Sequence, residues 1–343
     1  MDDYNKKIRK ISLDELNDSK NLNDKIKMCL KLASLAPSVH NVQPWKVKLG
    51  EKECEIFVDS SIKLPESDPT TRHLHISIGC FIENLLLTSK LAGIFEKVTF
   101  FPNGENGPVA KVFFTNEGIK NSEGRDLVEA IVLRKNIRGP FDTNADISES
   151  LANFRSRLNA ELKASVNFVD NREQILKIAE LTASGMRTAH GRRSFRKEMA
   201  GWLINNYSDR NSGMPGYSMN MPGAISLLLP TVLGNFNLGA ILSKLNYLSV
   251  SSAPMVCVFS SADERSGWID VGRQIERLML AATALGLNTS IYVASTEIGD
   301  IYQEIKKIIN CKDRPQFVLC VGKMKKTPDW FTPRVNIEEK IYE

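Results

Sequence analysis

Residues 79–94, GCFIENLLLTSKLAGI, recur at residues 272–287 as GRQIERLMLAATALGL, in register and without a gap. Six of the sixteen positions are identical, including both glycines and the Ile-Glu pair. Each segment is apolar on nearly every side, which is typical of a buried helix. Each closes on a glycine, the residue favoured at a left-handed C-terminal cap. The repeat therefore predicts two equivalent core helices that pack on each other across a pseudo-twofold axis.

Similar elements surround the two predicted helices. An apolar strand follows each of them, at residues 98–101 and 290–293, and a second one comes next, at 108–114 and 315–321. Further strands are predicted at 45–49, 55–59, 166–170 and 254–260, and helices at 24–36 and 126–133. This mixture predicts an α+β fold of two tandem halves, residues 1–120 and 121–343. Residues 184–252 have no counterpart in the first half and form an insertion.

A polar loop follows the helix predicted at 24–36, within the sequence LAPSVHNVQPW at residues 35–45. Pro37 and Pro44 restrict the backbone at either end of the loop. Between them Ser38, His40, Asn41 and Gln43 can donate and accept hydrogen bonds, which suits a planar, amide-edged heterocycle. An ordinary helix-to-strand turn is the alternative, because Ser and Asn favour turns.

The string Ala-Pro-Ser-x-x-Asn-x-Gln-Pro-Trp resembles the first flavin-binding motif of the nitroreductase superfamily. The string DPTTRHLH at residues 68–75 resembles a signature of its Acg-like branch. The resemblance implies an FMN-dependent nitroreductase fold in which one chain mimics the family's homodimer. It also implies hydride transfer from NAD(P)H to flavin N5 and on to an unknown acceptor. This chemistry belongs to the cofactor, so no catalytic side chain is predicted.

The sequence RKNIRGPF at residues 134–141 resembles the arginine motif that grips the FMN phosphate in this family. Arg134 and Arg138 are four residues apart, so on a helix end both guanidinium groups would lie on one face. Two such groups match a phosphate dianion. An exposed basic helix end is the alternative reading. In the family's dimers each flavin lies across the interface, with the arginine motif from one subunit and the polar loop from the other. Because neither motif recurs in the other half of this chain, the resemblance implies one complete site and one FMN per chain.

The resemblance assigns further contacts of differing strength. Arg72 and His75 either touch the flavin or orient its surroundings, and an Asp68–Arg72 ion pair is an equal alternative. The predicted cofactor-binding residues are Pro37, Ser38, Val39, His40, Asn41, Gln43, Arg72, His75, Arg134, Asn136, Arg138, Asn288, Thr289, Ser290 and Arg334.

The insertion contains a segment rich in glycine, proline and methionine, residues 209–223. Its composition suits a lid over the flavin ring, and a surface loop is the alternative. A lid that opens is compatible with a reductase, whereas a closed lid favours a protein that stores flavin or acts as a sensor.

Composition limits the remaining possibilities. The 343 residues carry a net charge of +5, and the basic runs 6–10 and 192–197 are expected to be solvated helix faces, without a nucleic-acid partner. The six cysteines show no metal-binding spacing, no metal site is predicted, and five of them lie in apolar stretches that predict burial. Residues 223–242 lack charge, but Pro and Gly favour a cap of short helices over a membrane span, and no membrane partner is expected. We expect a cytoplasmic monomer that acts as a pseudo-dimer on a small-molecule substrate or on none.

Overall fold

The computed structural model describes residues 3–11, 16, 21–119 and 124–342. The helices are α1 (Asp3–Lys7), α2 (Leu22–Ala33), α3 (Arg72–Leu91), α4 (Arg125–Ile131), α5 (Ser148–Arg155), α6 (Arg172–Gly191), α7 (Arg193–Trp202), α8 (Gly223–Ser226), α9 (Leu229–Asn235), α10 (Gly239–Ser251), α11 (Arg265–Ala284), α12 (Ala294–Glu297) and α13 (Ile301–Ile308). The strands are β1 (Trp45–Leu49), β2 (Glu53–Val58), β3 (Phe95–Phe100), β4 (Ala110–Phe114), β5 (Ser165–Val169), β6 (Leu203–Ile204), β7 (Met214–Pro215), β8 (Met255–Ser261), β9 (Asn288–Ile291), β10 (Arg314–Gly322) and β11 (Ile341–Tyr342).

The two repeated segments form the central helices α3 and α11, each of 20 residues. They cross at their repeated glycines. A Cβ on Gly79 would lie 2.3 Å from the carbonyl oxygen of Ile269, and one on Gly272 would lie 2.0 Å from that of Ile76. The two contacts are equivalent, because Ile76 and Gly79 correspond to Ile269 and Gly272 at the 193-residue offset. The predicted packing of equivalent helices is confirmed, and the absence of side chains at the crossing is what allows the two backbones to approach so closely.

Two antiparallel sheets flank these helices with the same strand order. The first contains β1-β2-β4-β3 and the second β5-β8-β10-β9. In both sheets the strand that follows the core helix lies at one edge, as an equivalent pair of halves requires. The α+β fold with two pseudo-symmetric halves is therefore confirmed. The boundary predicted near residue 120 falls between β4 and α4 and stays a prediction.

The C-terminus returns to the first half. Strand β11 pairs with β1 in parallel, with Val47 opposite Ile341. The segment that leads to β11 passes the loop after α2, where Asn5 of α1 donates to the carbonyl of Arg334 over 3.1 Å. The two ends of the chain thus meet beside the predicted binding loop.

The insertion is mostly helical. Helix α6 runs through the boundary predicted at residue 184, and α7 to α10 follow it, with the short parallel pair β6–β7 between them. The uncharged stretch 223–242 forms the short helices α8 and α9 and the start of α10, as predicted. Among the described residues, no helix combines the length and apolarity needed to cross a membrane.

The main core lies between α3, α11 and the sheets. The cysteines predicted to be buried are buried, and all six have free thiols: Cys29, Cys54, Cys80, Cys257, Cys311 and Cys320. Gly93 and Gly286 end the core helices with φ of 68° and 70°, which confirms the predicted left-handed caps.

Candidate functional site

A cleft of about 1200 Å³, counting its solvent-filled mouth, lies where the two halves meet. Its walls come from the loop after α2, from α3 and α11, from the segment after α4, from the insertion and from the C-terminal segment. The lining residues are Arg9, Pro37, Ser38, Val39, His40, Asn41, His73, Ile76, Ser77, Cys80, Arg134, Lys135, Asn136, Arg138, Met214, Ser218, Met219, Ile275, Ile291, Val293, Phe317, Trp330, Phe331, Thr332 and Arg334. Nine of the fifteen predicted site residues are among them.

The loop after α2 has a constrained backbone. His40, Asn41 and Gln43 have φ of 47°, 57° and 53°, in the left-handed region that non-glycine residues seldom adopt. Such conformations cost on the order of 1–3 kcal/mol each and persist where the surroundings enforce them. Here Ser38 Oγ accepts from the Gln43 amide over 3.0 Å, and Ser77 Oγ of α3 accepts from the Val39 amide over 3.1 Å.

The side chains of Asn41 and Gln43 hold this loop to other segments. Asn41 Nδ2 donates to the carbonyls of Gly213 and Pro333, both over 3.0 Å. Gln43, which is fully buried, accepts from the Val335 amide over 2.9 Å. The sequence suggested that both amides face a ligand. Instead the left-handed turns direct them into the protein, where they join the loop to the insertion and the C-terminus.

The arginine segment is not helical. Helix α4 ends at Ile131, and Asn136 forms a bridge with Thr289 of β9 that draws the segment into an extended form. The prediction that Arg134 and Arg138 share one helix face is therefore wrong. Arg134 is 3% exposed, whereas Arg138 is an exposed side chain at the cleft.

Arg134 belongs to a buried charge cluster. Its Nε lies 3.3 Å from a carboxylate oxygen of Glu276 on α11, and its Nη2 donates to the Leu35 carbonyl over 2.7 Å. Arg334 donates to the carbonyls of Leu35 and Ala36 and to Asn41 Oδ1 over 2.9 to 3.2 Å. Burial and the neighbouring Arg134 lower the pKa of Arg334 to about 9. Burial raises the pKa of Glu276, and Arg134 opposes that shift.

Two further cations at the cleft were not predicted. Arg9 and Lys135 stack on the ring of Phe331, with cation-to-centroid distances of 4.1 and 4.2 Å. From the sequence, Arg9 was expected to lie in a solvated helix face within the basic run 6–10. Its position depends on contact between the N-terminus and the C-terminal segment, which leaves no local signal. Lys135 lay inside the recognised arginine motif and could have been included.

The charged side chains in the described cleft lining are all positive. Five cations line the cleft, Arg9, Arg134, Lys135, Arg138 and Arg334, and its described lining contains no carboxylate. Glu276, which is outside the cleft lining, pairs with Arg134 and neutralises its positive charge. The Nε of Arg334 is buried without a hydrogen-bond acceptor in the described part of the chain. The cleft is therefore suited to an anion.

The cleft lining also contains apolar side chains. They are Ile76 and Ile275 from the two core helices, Phe317 of β10, Ile291 and Val293. The lining thus combines cationic and apolar groups, as a phosphorylated aromatic ligand requires. None was singled out from sequence, because core apolar residues carry no pattern that separates a cleft wall from ordinary packing.

His40 is linked to the insertion by a hydrogen-bond chain. Its Nε2 lies 2.9 Å from Ser67 Oγ, which donates to Glu198 of α7 over 2.5 Å. Because the serine proton is given to the carboxylate, Nε2 must be the protonated nitrogen and Nδ1 the acceptor. Burial, with the nearby His73, lowers the pKa of His40 to about 3, so the ring is neutral at physiological pH.

Arg72 and His75 do not line the cleft. Arg72, buried, pairs with Glu297 of α12 and donates to Gln316 Oε1 over 3.1 Å. The expected partner Asp68 instead accepts from the amides of His73 and Leu74 at the start of α3. His75 contacts the Thr71 carbonyl over 2.7 Å through Nδ1.

Asn288, Thr289 and Ser290 also lie outside the cleft lining. Thr289 accepts from the Ile137 amide over 3.0 Å, and Asn288 accepts from the Met324 amide over 2.8 Å. Ser290 is fully buried. These residues hold the arginine segment and the C-terminal segment against β9, so any contribution to binding is indirect.

The mirror position, across the pseudo-twofold axis, is filled by charged residues. Arg273 stands where the site has Cys80, and Asp270 stands where it has Ser77. The Arg273 guanidinium lies 3.1 Å from Glu83 and 5.3 Å from the centre of the Phe100 ring. This packing agrees with the prediction of a single site, which stays a prediction.

The methionine-rich segment 209–223 borders the cleft through Met214, Ser218 and Met219. Backbone hydrogen bonds join Gly213 to Asn41, and the Tyr217 hydroxyl donates to the Phe331 carbonyl over 3.1 Å. The segment is thus fixed to two other walls of the same cleft.

Comparison with known proteins found similarity over nearly the full length of the chain. The putative NAD(P)H nitroreductase acg of Mycobacterium tuberculosis is 24% identical over 325 residues, which cover 93% of this chain and 96% of that protein. A second putative NAD(P)H nitroreductase of that organism is 32% identical over 78 residues, 23% of each chain. No family model matches. The relationship predicted from the motifs is confirmed by the full-length similarity.

Similar solved structures include the FMN-dependent nitroreductase NfnB from Mycobacterium smegmatis in complex with NADPH. It has a TM-score of 0.40 and 17% identity and covers 63% of this chain and 97% of its own. A nitroreductase with bound FMN from Bacteroides fragilis has a TM-score of 0.36 and 13% identity, with 61% and 94% coverage.

Proposed function

We propose that this chain, a member of the Acg-like branch of the nitroreductase superfamily, is an FMN-dependent NAD(P)H oxidoreductase. It holds one FMN in the cleft between its two halves and acts as a single chain in place of a dimer. The observation that carries the proposal is a cleft whose described lining combines five cations and no carboxylate with a set of apolar side chains.

The residues present fit this cofactor. The five cations of the cleft lining match a phosphate dianion. The buried Nε of Arg334, which has no acceptor in the described part of the chain, is a donor that an anion would satisfy. Arg138, Lys135 and Arg9 supply the accessible charge. Arg334 gives most of its donors to backbone carbonyls and Asn41, and Arg134 donates to the Leu35 carbonyl, so their main effect is to set the loop after α2 and to raise the local positive potential.

The apolar side chains of the core helices, with Met214 and Met219 of the insertion, suit an isoalloxazine ring. His40 lines the same cleft and offers one oriented group, because the bond to Ser67 leaves Nδ1 as an acceptor. A ring N–H is the matching donor. FMN, when bound, supplies the chemistry by accepting a hydride from a nicotinamide and passing it to an acceptor. The protein orients the ring and excludes water around it.

The position of segment 209–223 also supports a second function, flavin storage without turnover. This segment acts as a lid, and it is held to the loop after α2 and to the C-terminal segment. Turnover requires that these bonds break to admit nicotinamide. Each net bond is worth about 1 kcal/mol, so three or four of them hold the lid closed for most of the time but let it open.

Two measurements test these functions. First, the purified protein is loaded with FMN and its flavin-to-chain ratio is determined. A ratio of one is expected, and failure to bind FMN would refute the proposed cofactor. Second, the flavin absorbance is followed after anaerobic addition of NADH or NADPH. Bleaching within seconds supports the oxidoreductase, whereas bleaching by dithionite alone supports storage.

A matched pair of variants tests whether the lid limits the rate of flavin reduction by NAD(P)H. Tyr217→Phe removes the bond to the Phe331 carbonyl and should speed reduction by NAD(P)H about fivefold, in line with a loss of about 1 kcal/mol. Tyr207→Phe makes the same change in a side chain that is 68% exposed, and should leave the rate unchanged. Equal rates in both variants would show that this bond does not hold the lid closed.

A further inference from the structure

The insertion exposes an unusual amount of apolar surface. Seven large hydrophobic side chains within residues 225–248 are between 46% and 64% exposed. They are Ile225, Leu227, Leu228, Phe236, Ile241, Leu245 and Leu248. A soluble monomer rarely leaves so many clustered apolar side chains in water, and such surfaces usually mark an interaction site.

Helix α10 has its polarity reversed. Its buried residues include Ser243, Asn246 and Ser249, while Ile241 and Leu245 point outward. The spacing of four places the two outward residues on one face. A helix that turns polar groups towards the protein and apolar groups towards the solvent side is adapted to an apolar partner.

Helices α8 and α9 extend the same surface. Leu229 and Leu233 of α9 pack in one cluster with Leu242 of α10, and α8 contacts α9. Ile225 and Leu228 lie on the outer side of that cluster and are 56% and 64% exposed. We call the outward faces of α8, α9 and α10 the apolar face.

The charges around the apolar face are mainly positive. Residues 210–262 contain no Asp or Glu, and Lys244 lies on the face itself. The supporting helices α6 and α7, together with Arg192 between them, expose six cations and two carboxylates. The cations are Arg172, Lys177, Arg187, Arg192, Arg193 and Lys197, and the carboxylates are Glu173 and Glu180.

We infer that the apolar face docks on an anionic lipid bilayer and that the protein lies on this surface without crossing it. Short helices that bury an apolar side at the headgroup level, with basic residues at their edges, bind membranes in this way. A second copy of the chain fits less well, because it would bring Lys244 and the basic rim against their own counterparts without an acidic partner.

Flotation of the full-length, FMN-loaded protein with lipid vesicles tests the inference. Vesicles of phosphatidylcholine alone are compared with vesicles that contain about 30 mol% phosphatidylglycerol. The protein should float with the anionic vesicles, and binding should fall as salt is raised. Absence of flotation with the anionic vesicles would overturn the inference.

Variants test whether the apolar face is responsible. The double variant Leu228→Glu with Ile241→Glu should bind anionic vesicles at least about tenfold more weakly. Ile119→Glu, a matched change in a side chain that is 90% exposed in the first half, should bind like the parent. Equal flotation of the double variant and the parent would refute the assignment.

Light scattering tests the alternative that a second copy of the chain occupies the apolar face. The parent should have the mass of one chain at all concentrations tested. A doubled mass that the two glutamates abolish, without vesicle binding, would show that the face holds a second copy. The FMN content and unfolding midpoint of the double variant should equal those of the parent, so a loss of binding could not be attributed to unfolding.

Discussion

The crossing of the two core helices makes a quantitative prediction about stability. Gly79→Ala and Gly272→Ala each place a methyl group against a backbone that cannot move alone. The new Cβ atoms would lie 2.3 and 2.0 Å from carbonyl oxygens, where 3.0 Å is the practical minimum. The helices must therefore separate by about 0.7 to 1.0 Å, along a contact that both sheets depend on.

The cost follows from two opposing terms. Overpacking of a core costs about 1–3 kcal/mol, and the upper end applies because the obstacle is backbone rather than a flexible side chain. Replacement of glycine by alanine in a helix returns about 0.5–1 kcal/mol. We expect each variant to lose about 2 kcal/mol of unfolding free energy. The two losses should be similar, since the contacts are equivalent.

Urea denaturation of the parent and the single and double variants measures this effect. Gly201→Ala in α7 is the control, because nothing lies within 4 Å of its added methyl, and it should be neutral or slightly stabilising. The double variant should lose less than the sum of the two single losses, because the first substitution already opens the crossing. Unchanged stability in either single variant, or full additivity, would refute the symmetric close contact.

The remaining predictions concern charge and titration. Arg138→Ala should weaken FMN binding about thirtyfold, or about 2 kcal/mol, in a fluorescence titration with unchanged stability, because the side chain is exposed. Arg134→Ala should lower the unfolding free energy by about 3–5 kcal/mol by leaving Glu276 unpaired, and added Glu276→Gln should recover part of it; a melt without loss would contradict the pairing. His190 is buried with its pKa lowered to about 4, so the unfolded chain binds a proton first as pH falls below 6.5. Stability should drop between pH 6.5 and 4, and His190→Gln should reduce that slope by about 1.4 kcal/mol per pH unit, measured as the difference from the parent. His40→Ala should weaken FMN about tenfold but affect N3-methylated FMN little, and equal losses for both flavins would disprove the acceptor role of Nδ1.

Much of the fold could be predicted because its signals are local. The repeat, the capping glycines and the alternating or continuous apolar runs depend on neighbours within a few positions. The strand predicted at 45–49 matches β1, and the other predicted strands match within about three residues. The polar loop and the arginine segment were recognised in the same way, and the structure brings Pro37–Asn41 and Arg138 to one cleft.

The site was predicted less completely, because its groups are assigned by contacts between distant segments. The sequence indicated a helical spacing for the arginines, but the bridge between Asn136 and Thr289 extends that segment. A flavin contact and an ion pair with Asp68 were the alternatives for Arg72, but it pairs with Glu297, 225 positions away. Arg9 reaches the cleft only because the N-terminal helix packs against the C-terminal segment.

Residue types and their spacing were enough to predict two equivalent halves joined by buried helices, and one polar loop and one arginine segment that are unmatched between the halves. These properties follow from periodicity and residue type, which local sterics translate into helices, strands and turns. Tertiary structure alone decided which polar groups remain available to a ligand. Asn41, Gln43 and Arg334 give their hydrogen bonds mostly to one another and to nearby carbonyls, whereas Arg138 is exposed at the cleft and His40 Nδ1 is left as an acceptor. Hydrogen bonds within a buried site are allotted by three-dimensional packing.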